Sequence, residues 1–581
     1  MALAGPSLSA DAADIAYRVA FTGLEALPEI AETLEGVSRL ATETGRPPAT
    51  VRQLRRRIAD DVPRLIEVLR SYGHYAATVE TSLDSAQSPA VVTVAVAPGP
   101  PYLLSAFRVA ARGGAGGPVV RMPLAELGVE TGMPARAAAI AGADAGLVRA
   151  LTESGYPRAR VVDREVLVDH DLKSVAVTVA VDLGPAARFG PTSFVGIESV
   201  DSGFVARRVQ WQTGDRYDSR KVAATRDALR ATQLFSSVRI DVGEPAAGDD
   251  AAPMTVTLVE RAQRSVGAGA GYSTSEGLRG KLFWEHRNLF GEGERLRATA
   301  LAAEIVTSLS ASFSKPDFLD PGQELLLSGA IEQQRTDAFE TERVTASGRL
   351  RRPLYRRIQV SGGLALAREF EDDNTVQRRF TLVSLPVTLE VDTSDEPLDP
   401  SRGARGRFQV SPTLQALGSD VSFVTLDLSE SRYLSLAADD SLVLAGRYRV
   451  GSVVGVTTGE LPASARFFGG GGGSVRGFAF QSIGPRDGFN EPFGGSSIFE
   501  VGGELRWRVW GDVGLVPFIE GGQVFEGSRP DPLSGLLWGA GLGVRYFTAV
   551  GPLRLDIAVP INRRHDIDDS FQFYVSLGQA F

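Results

Sequence analysis

One change of pattern constrains this chain more than any other feature. From residue 265 to the end, helical periodicity disappears and apolar residues recur at every second position. Leu553, Leu555, Ile557 and Val559 alternate with Arg554, Asp556, Ala558 and Pro560. Trp538, Ala540, Leu542, Val544 and Tyr546 alternate with Gly539, Gly541, Gly543 and Arg545. Thr381, Val383, Leu385, Val387, Leu389 and Val391 share one face. A period of two marks strands with unlike faces. A sandwich also alternates, but here glycine or arginine stands opposite the apolar face, as expected for a wall with lipid outside and water inside.

Sixteen such segments can be drawn: 265–273, 278–287, 293–304, 307–315, 322–334, 340–351, 355–370, 377–392, 402–412, 421–436, 440–455, 496–510, 513–525, 534–547, 550–561 and 570–581. Each takes about 20 residues with its connection, which suits tilted spanning strands of ~9–11 residues plus loops. Turn residues punctuate the even-to-odd connections at 288–293, 316–322, 353–355 and 396–403. The longest connection, about 456–495, falls at the opposite end.

Composition narrows the function classes. No apolar run approaches the ~20 residues of a spanning helix. The net charge of −9 argues against a partner bound through bulk positive charge, so no nucleic acid is expected. There is no cysteine, hence no disulfide and no thiolate metal site. The four histidines, His74, His170, His286 and His565, are dispersed and match no zinc spacing. No cofactor or metal is expected. Residues 1–14 have neither a basic start nor an apolar core, so they do not read as a signal peptide. If the protein works beyond the inner membrane, its start has been processed or altered. The 64 glycines exceed the usual ~7% and concentrate in the second half.

The first ~262 residues repeat one grammar three times: strand, helical segments, a glycine–aromatic corner, then two strands. In the first unit, helices are expected at 28–42 and 50–59. Asp61 reads as the N-cap of a further helix with Pro63 in its first turn. The corners are Gly73-His74-Tyr75, Gly155-Tyr156, and Leu234-Phe235 ahead of Val238. This pattern resembles the POTRA domain, a periplasmic polypeptide-binding module. A short mixed sheet with a free edge can add an extended peptide as a further strand. The expected units are 14–101, 102–185 and 186–262, followed by a barrel at 264–581.

The long connection contains Phe467, Phe468, five glycines, Ser474, Val475, Arg476, Gly477 and Phe478. It is not a phosphate cradle, because it lacks a Gly-Lys-Ser/Thr run and the strand-to-helix context of a dinucleotide site. The segment resembles the signature of the BamA/TamA outer-membrane assembly superfamily. Further matches are Gly269 to Ser273, Trp284 to Phe290, Asp392 to Asp395, Pro400 to Gly403, Gly551 to Asp556 and Phe571 to Tyr574. Three POTRA-like units rather than five or two make the chain most like the TamA branch.

The resemblance implies α+β POTRA domains followed by an all-β, 16-stranded antiparallel transmembrane barrel in the outer membrane, with the N-terminal domains in the periplasm. It implies that Val475, Arg476, Gly477 and Phe478 form the tip of a loop tucked inside the barrel. Arg476 would meet Glu504 and Glu520, where the family has Asp in place of Glu520. A planar guanidinium suits such a lock because it can grip a carboxylate with two hydrogen bonds. The expected active element is the seam between the first and last strands, carrying Gly267, Gly269, Gly271, Phe571, Phe573, Gly578 and Phe581. Glycine deprives cross-strand pairs of packing. The implied partners are unfolded outer-membrane proteins such as autotransporters, outer-membrane lipid, and a TamB-like inner-membrane-anchored protein. No nucleophile elbow or catalytic triad is present, so no enzyme is expected. Two rival functions share these parts: a polypeptide export channel like those of two-partner secretion, and lipid transport or insertion.

Overall fold

The computed structural model describes residues 15–112, 123–273, 277–355, 357–372, 377–548, 551–577 and 579–580. The segment 1–14, read above for a signal peptide, lies outside these. The chain divides into two compact units. One holds residues 1–196, 206–231 and 237–259; the other holds 197–205, 232–236 and 260–581.

The N-terminal unit contains three three-stranded sheets of one topology. In the first, Tyr17–Thr22 lies parallel to Ala90–Ala97, which lies antiparallel to Thr78–Asp84. The second places Ser174–Asp182 between Leu103–Arg112 and Arg160–Asp169. The third places Ala251–Glu260 between Arg188–Val195 and Phe235–Val242. Each central strand alternates. Val92, Val94 and Val96, then Val175, Val177, Val179 and Val181, then Ala252, Met254, Val256 and Leu258 point into the core beneath the helices. Each sheet leaves two edge strands, the exposed backbone rows that can accept an added strand.

The first unit corrects the expected helix boundary. Val51–Ser71 is a single helix that runs through Asp61 and Pro63. Its buried stripe, Leu54, Ile58, Leu65 and Leu69, is continuous at helical spacing, which overrides the local start signal. Asp61 does cap a helix, but not its own. Its carboxylate, 0% exposed, accepts from Ser38 Oγ at 2.7 Å and from the backbone N–H of Arg39 at 3.1 Å and Leu40 at 3.2 Å. These residues begin the short helix Arg39–Thr42.

The second unit is a closed antiparallel barrel from Arg264 to Leu577. Gln377–Ser384 and Val387–Asp392 are halves of one strand, interrupted at Leu385-Pro386, so sixteen strands close it. Proline cannot donate to the ladder, and the break follows. The connection expected at 353–355 is instead the end of the strand Glu340–Tyr355, with a register shift between Pro353 and Tyr355. Directly opposed residues share a face, so the ladders fix which side chains point out. Leu282, Leu309, Ile331, Val344, Leu428, Leu542 and Ile557 are exposed on the outer wall. The proximal rim, where Arg264 enters, carries exposed Phe290, Tyr355, Trp507, Trp510 and Tyr546. An apolar band with an aromatic girdle is the outer surface of a membrane barrel.

Replacing Asp61 with alanine strands two backbone donors in the first unit. It should cost about 3 kcal/mol of local stability, read as faster amide exchange over residues 38–71 with the barrel unaffected.

Candidate functional site: the locked loop and the strand junction

Residues 456–495 connect the eleventh strand (Leu442–Val454) to the twelfth (Ser497–Trp510) and fold back against the inner wall. The turn at the tip needs glycine: Gly477 has φ +101°, and a Cβ there would lie 3.0 Å from the Val559 carbonyl. The wall is cut away to receive it. A Cβ at Gly539 would stand 1.9 Å from the Arg476 carbonyl oxygen. Val475 and Phe478 pack with Ile483 and Leu537 in a buried apolar cluster.

Arg476 is 0% exposed. Glu520 grips it with both oxygens: Nε donates to Oε2 at 3.0 Å and Nη2 to Oε1 at 2.8 Å. The Arg476 backbone N–H adds a third bond to Oε2 at 2.8 Å. Nη2 also reaches Glu504 at 3.2 Å, and Nη1 reaches Asp556 at 2.7 Å. Phe518 lies against the guanidinium, 3.4 Å from Cζ to the ring centroid, where the ring's negative face favours a cation. The geometry thus brings Arg476 together with both acids named from the sequence, and adds a third.

Asp556 escaped the sequence reading as a lock residue, although its position was legible. It alternates with outward Leu555 and Ile557 and therefore faces inward. It is the acid that three arginines share, with Arg545 Nη1 at 2.5 Å and Arg554 Nε at 2.6 Å beside Arg476. Arg506 holds Glu504 at 2.7 Å, and Arg447 holds Glu520 at 3.1 Å. The lock is therefore a network drawn from five strands of the wall, closed by one residue of the loop.

A second anchor, also unforeseen, lies on other strands. Glu371 accepts from the Ala463 N–H at 2.5 Å, Ser464 Oγ donates to Glu369 at 2.7 Å, and Arg378 donates to the Gly459 carbonyl at 2.7 Å. Glu369 and Glu371 sit on the seventh strand (Ile358–Asp372), Arg378 on the eighth. The loop is pinned to two parts of the wall and straps the lumen.

The first strand (Arg264–Ser273) and the last (Gln572–Leu577) meet through two register pairs among the described residues, Tyr272 with Val575 and Ser273 with Tyr574. On its other side the first strand keeps ten, and the last strand keeps six with its predecessor. Gly267, Gly269 and Gly271 face the lumen, but the packing deficit expected there is partly filled. The Phe283 ring covers Gly267 and the Arg279 side chain covers Gly271; only Gly269 stays open. Phe573 pairs with outward Ile557, and Phe571 is exposed just before the strand. Gly578 and Phe581 lie outside the described residues. Near them, Gln579 accepts from Arg545 at 2.8 Å and donates to Asp399 at 2.8 Å, so the turn 393–402 holds the chain's C-terminal end.

That turn is itself ordered by Asp395. Burial pushes its carboxyl up, but the Ser401 hydroxyl and the N–H groups of Arg402 and Ser401 outweigh burial and hold it at about 2.

A membrane β-barrel whose lumen is strapped by an arginine-locked loop, preceded by repeated small mixed-sheet units, is the class defined by this geometry. The family model described as the Omp85 superfamily domain matches residues 288–581, and the chain belongs to that superfamily. Among curated relatives, the outer membrane protein assembly factor BamA of Nitratidesulfovibrio vulgaris is 27% identical over 406 residues, 66% of this chain and 50% of the relative. BamA of Neisseria meningitidis is 22% identical over 475 residues, 71% of this chain and 59% of the relative. The chain thus spans between half and three-fifths of the length of these relatives. The crystal structure of Haemophilus ducreyi BamA lacking POTRA domains 1–3 shares the fold, with a TM-score of 0.69 at 20% identity, covering 82% of this chain and 99% of that one.

Arg476→Ala should leave three buried carboxylates short of a partner and cost about 3–5 kcal/mol. The folded, fast-migrating band in a heat-modifiability gel should be lost at lower temperature, and Arg476→Lys, which cannot fork, should recover only part. For Asp395, a depressed carboxyl contributes stability that is complete above its ordinary 3.8 and is lost as pH falls toward 2. Protection of the Ser401 and Arg402 amides should hold from neutral pH to about 4 and fall below it, whereas Asp395→Asn should lose it already at neutral pH.

Proposed function

We propose that this protein is an outer-membrane assembly factor that receives unfolded outer-membrane proteins and inserts them at the junction between its first and last strands. The proximal rim faces the periplasm, and residues 14–101, 102–185 and 186–262 are three POTRA domains there. Their edge strands accept extended client segments by strand addition. The observation that carries this reading is the junction itself, which has two register pairs among the described residues where the flanking ladders have ten and six.

Separating those two pairs frees a row of backbone N–H and C=O groups on the first strand. Within a bilayer such groups have no water to bond, so an incoming strand is the available partner. No nucleotide site is needed: client strand pairing and burial of the client's apolar face supply the driving force. Autotransporters as clients and a TamB-like inner-membrane-anchored partner are the finer form of this proposal, supported by the three-unit organisation. A polypeptide export channel would have to clear 456–495 from the lumen, and both anchors of that loop oppose it.

The chain has no cysteine, so two introduced cysteines are its sole thiols. Tyr272→Cys with Val575→Cys, oxidised, should abolish assembly of a client barrel into liposomes while the protein keeps its heat-modifiable fold. Reduction should restore activity. Full activity of the locked form would sink the junction mechanism, and release of cargo into liposomes without client insertion would favour the channel.

A further inference from the structure

The outer wall carries a feature that neither the lock nor the junction uses. A groove of about 1040 Å³ crosses the first eight strands toward their distal ends. It lies on the outside of the barrel, as the lining shows. Its residues come as triplets such as 280–282, 331–333, 342–344 and 368–370, in which the two flanking side chains point outward and the middle one inward. A lumen cavity would show the reverse. The volume is at the upper end of the ~300–1,000 Å³ typical of small-molecule sites.

The two ends of the groove differ in chemistry. Gly280, Ala300 and Ala302 are outward residues too small to fill the wall's surface. Leu282, Leu309, Ile331 and Val344 stand beside them, all exposed. At the other end, Arg368 and Arg379 point outward from neighbouring strands, with Phe370 between them. Phe370 pairs with Arg379 in the ladder, and the Arg379 Cζ lies 5.6 Å from its ring centroid. Glu342 opposes Phe370 from the other side. Among the described residues, the ion pairs within 4.0 Å include neither Arg368 nor Arg379. Arg432, also outward, is by contrast paired with Glu430.

Charged residues on a lipid-facing wall are costly near the midplane and tolerable at the headgroup level. Two arginines that, among the described residues, have no carboxylate within 4.0 Å, standing where an apolar band ends with one outward acid, Glu342, in the same groove, suit an anion from the membrane itself. Arginine meets phosphate with parallel hydrogen bonds. We infer that this groove binds a phosphorylated, multiply acylated glycolipid of the lipid A type from the outer leaflet. Arg368 and Arg379 hold a phosphate. The acyl chains lie over Ile331, Leu309 and Leu282 and reach the small residues beside the first strand. The bound lipid therefore occupies the outer surface next to the junction, where a client strand must enter the bilayer.

The test uses the full chain in detergent and in nanodiscs, with bis-phosphorylated hexa-acyl lipid A as probe and native mass spectrometry as readout. Lipid A should bind with one molecule per barrel, and the dephosphorylated form at least tenfold more weakly. Phosphatidylglycerol and inorganic phosphate should not displace it at equal concentration. Arg368→Gln with Arg379→Gln should weaken binding at least tenfold, as should Ala300→Leu with Ala302→Leu, while Arg432→Gln should not. Heat-modifiable migration checks that each variant is folded. Equal binding of the phosphorylated and dephosphorylated forms by the unaltered protein would overturn the inference without any variant. So would displacement by phosphatidylglycerol, or binding untouched by both double substitutions. The readout is lipid binding, so it stands or falls separately from client assembly.

Discussion

The lock inside this barrel is organised around one buried cation of the loop. Arg476 has no water to solvate it, and burying a guanidinium alone would cost several kcal/mol. Three carboxylates from separate strands and an aromatic face replace the lost water. The acids are in turn shared with Arg447, Arg506, Arg545 and Arg554, so none is left bare when counted with the wall. Such a network is worth most as a whole, because removing one member leaves the others desolvated and unpaired. That is why the loop sits in one place. The fork of Glu520, the small surfaces at Gly539 and Gly477, and the apolar pocket for Val475 and Phe478 each exclude a shifted tip.

The strap and the junction are complementary mechanical elements. A barrel whose first and last strands meet, among the described residues, through two register pairs gains from holds on its wall other than closure of the ladder. The loop supplies that by joining the seventh and eighth strands to the wall around Glu504, Glu520 and Asp556. The turn 393–402 adds a hold on Gln579 at the proximal end. Strong polar interactions thus brace the cylinder away from the junction of its first and last strands.

Much of this was legible in the residues, because alternation is a strong signal. Outward Leu553, Leu555 and Ile557 fix Arg554 and Asp556 as inward, and Glu504 follows from outward Leu505 and Trp507. What alternation cannot supply is distance around a closed cylinder. Asp556 joins Arg476 across 80 residues of sequence, and Glu371 joins Ala463 across 92. Closure brings these pairs together, and no local pattern encodes it. Asp61 failed for a related reason: its cap-like signal is local, while the carboxylate serves a helix start 22 residues earlier. The first-strand glycines were read along one strand, whereas Phe283 and Arg279 reach over from the next.

The distribution of side chains around the lumen leaves the first and fourth strands short of large inward groups. The inner faces of the first and fourth strands carry Gly267, Gly269, Gly271, Ser308, Ser310 and Ser312, short groups with little reach across the lumen, while Arg279, Lys281 and Arg297 stand inward on the second and third. The charged side chains that grip the loop stand on the seventh, eighth, eleventh to thirteenth and fifteenth strands. One end of the outer groove overlies the same strands, where Gly280, Ala300 and Ala302 thin the wall from outside. A wall trimmed on both faces has fewer dispersion contacts resisting a bend than one packed on either. Charged grip and small-residue trim are thus written into different strands of a single sheet.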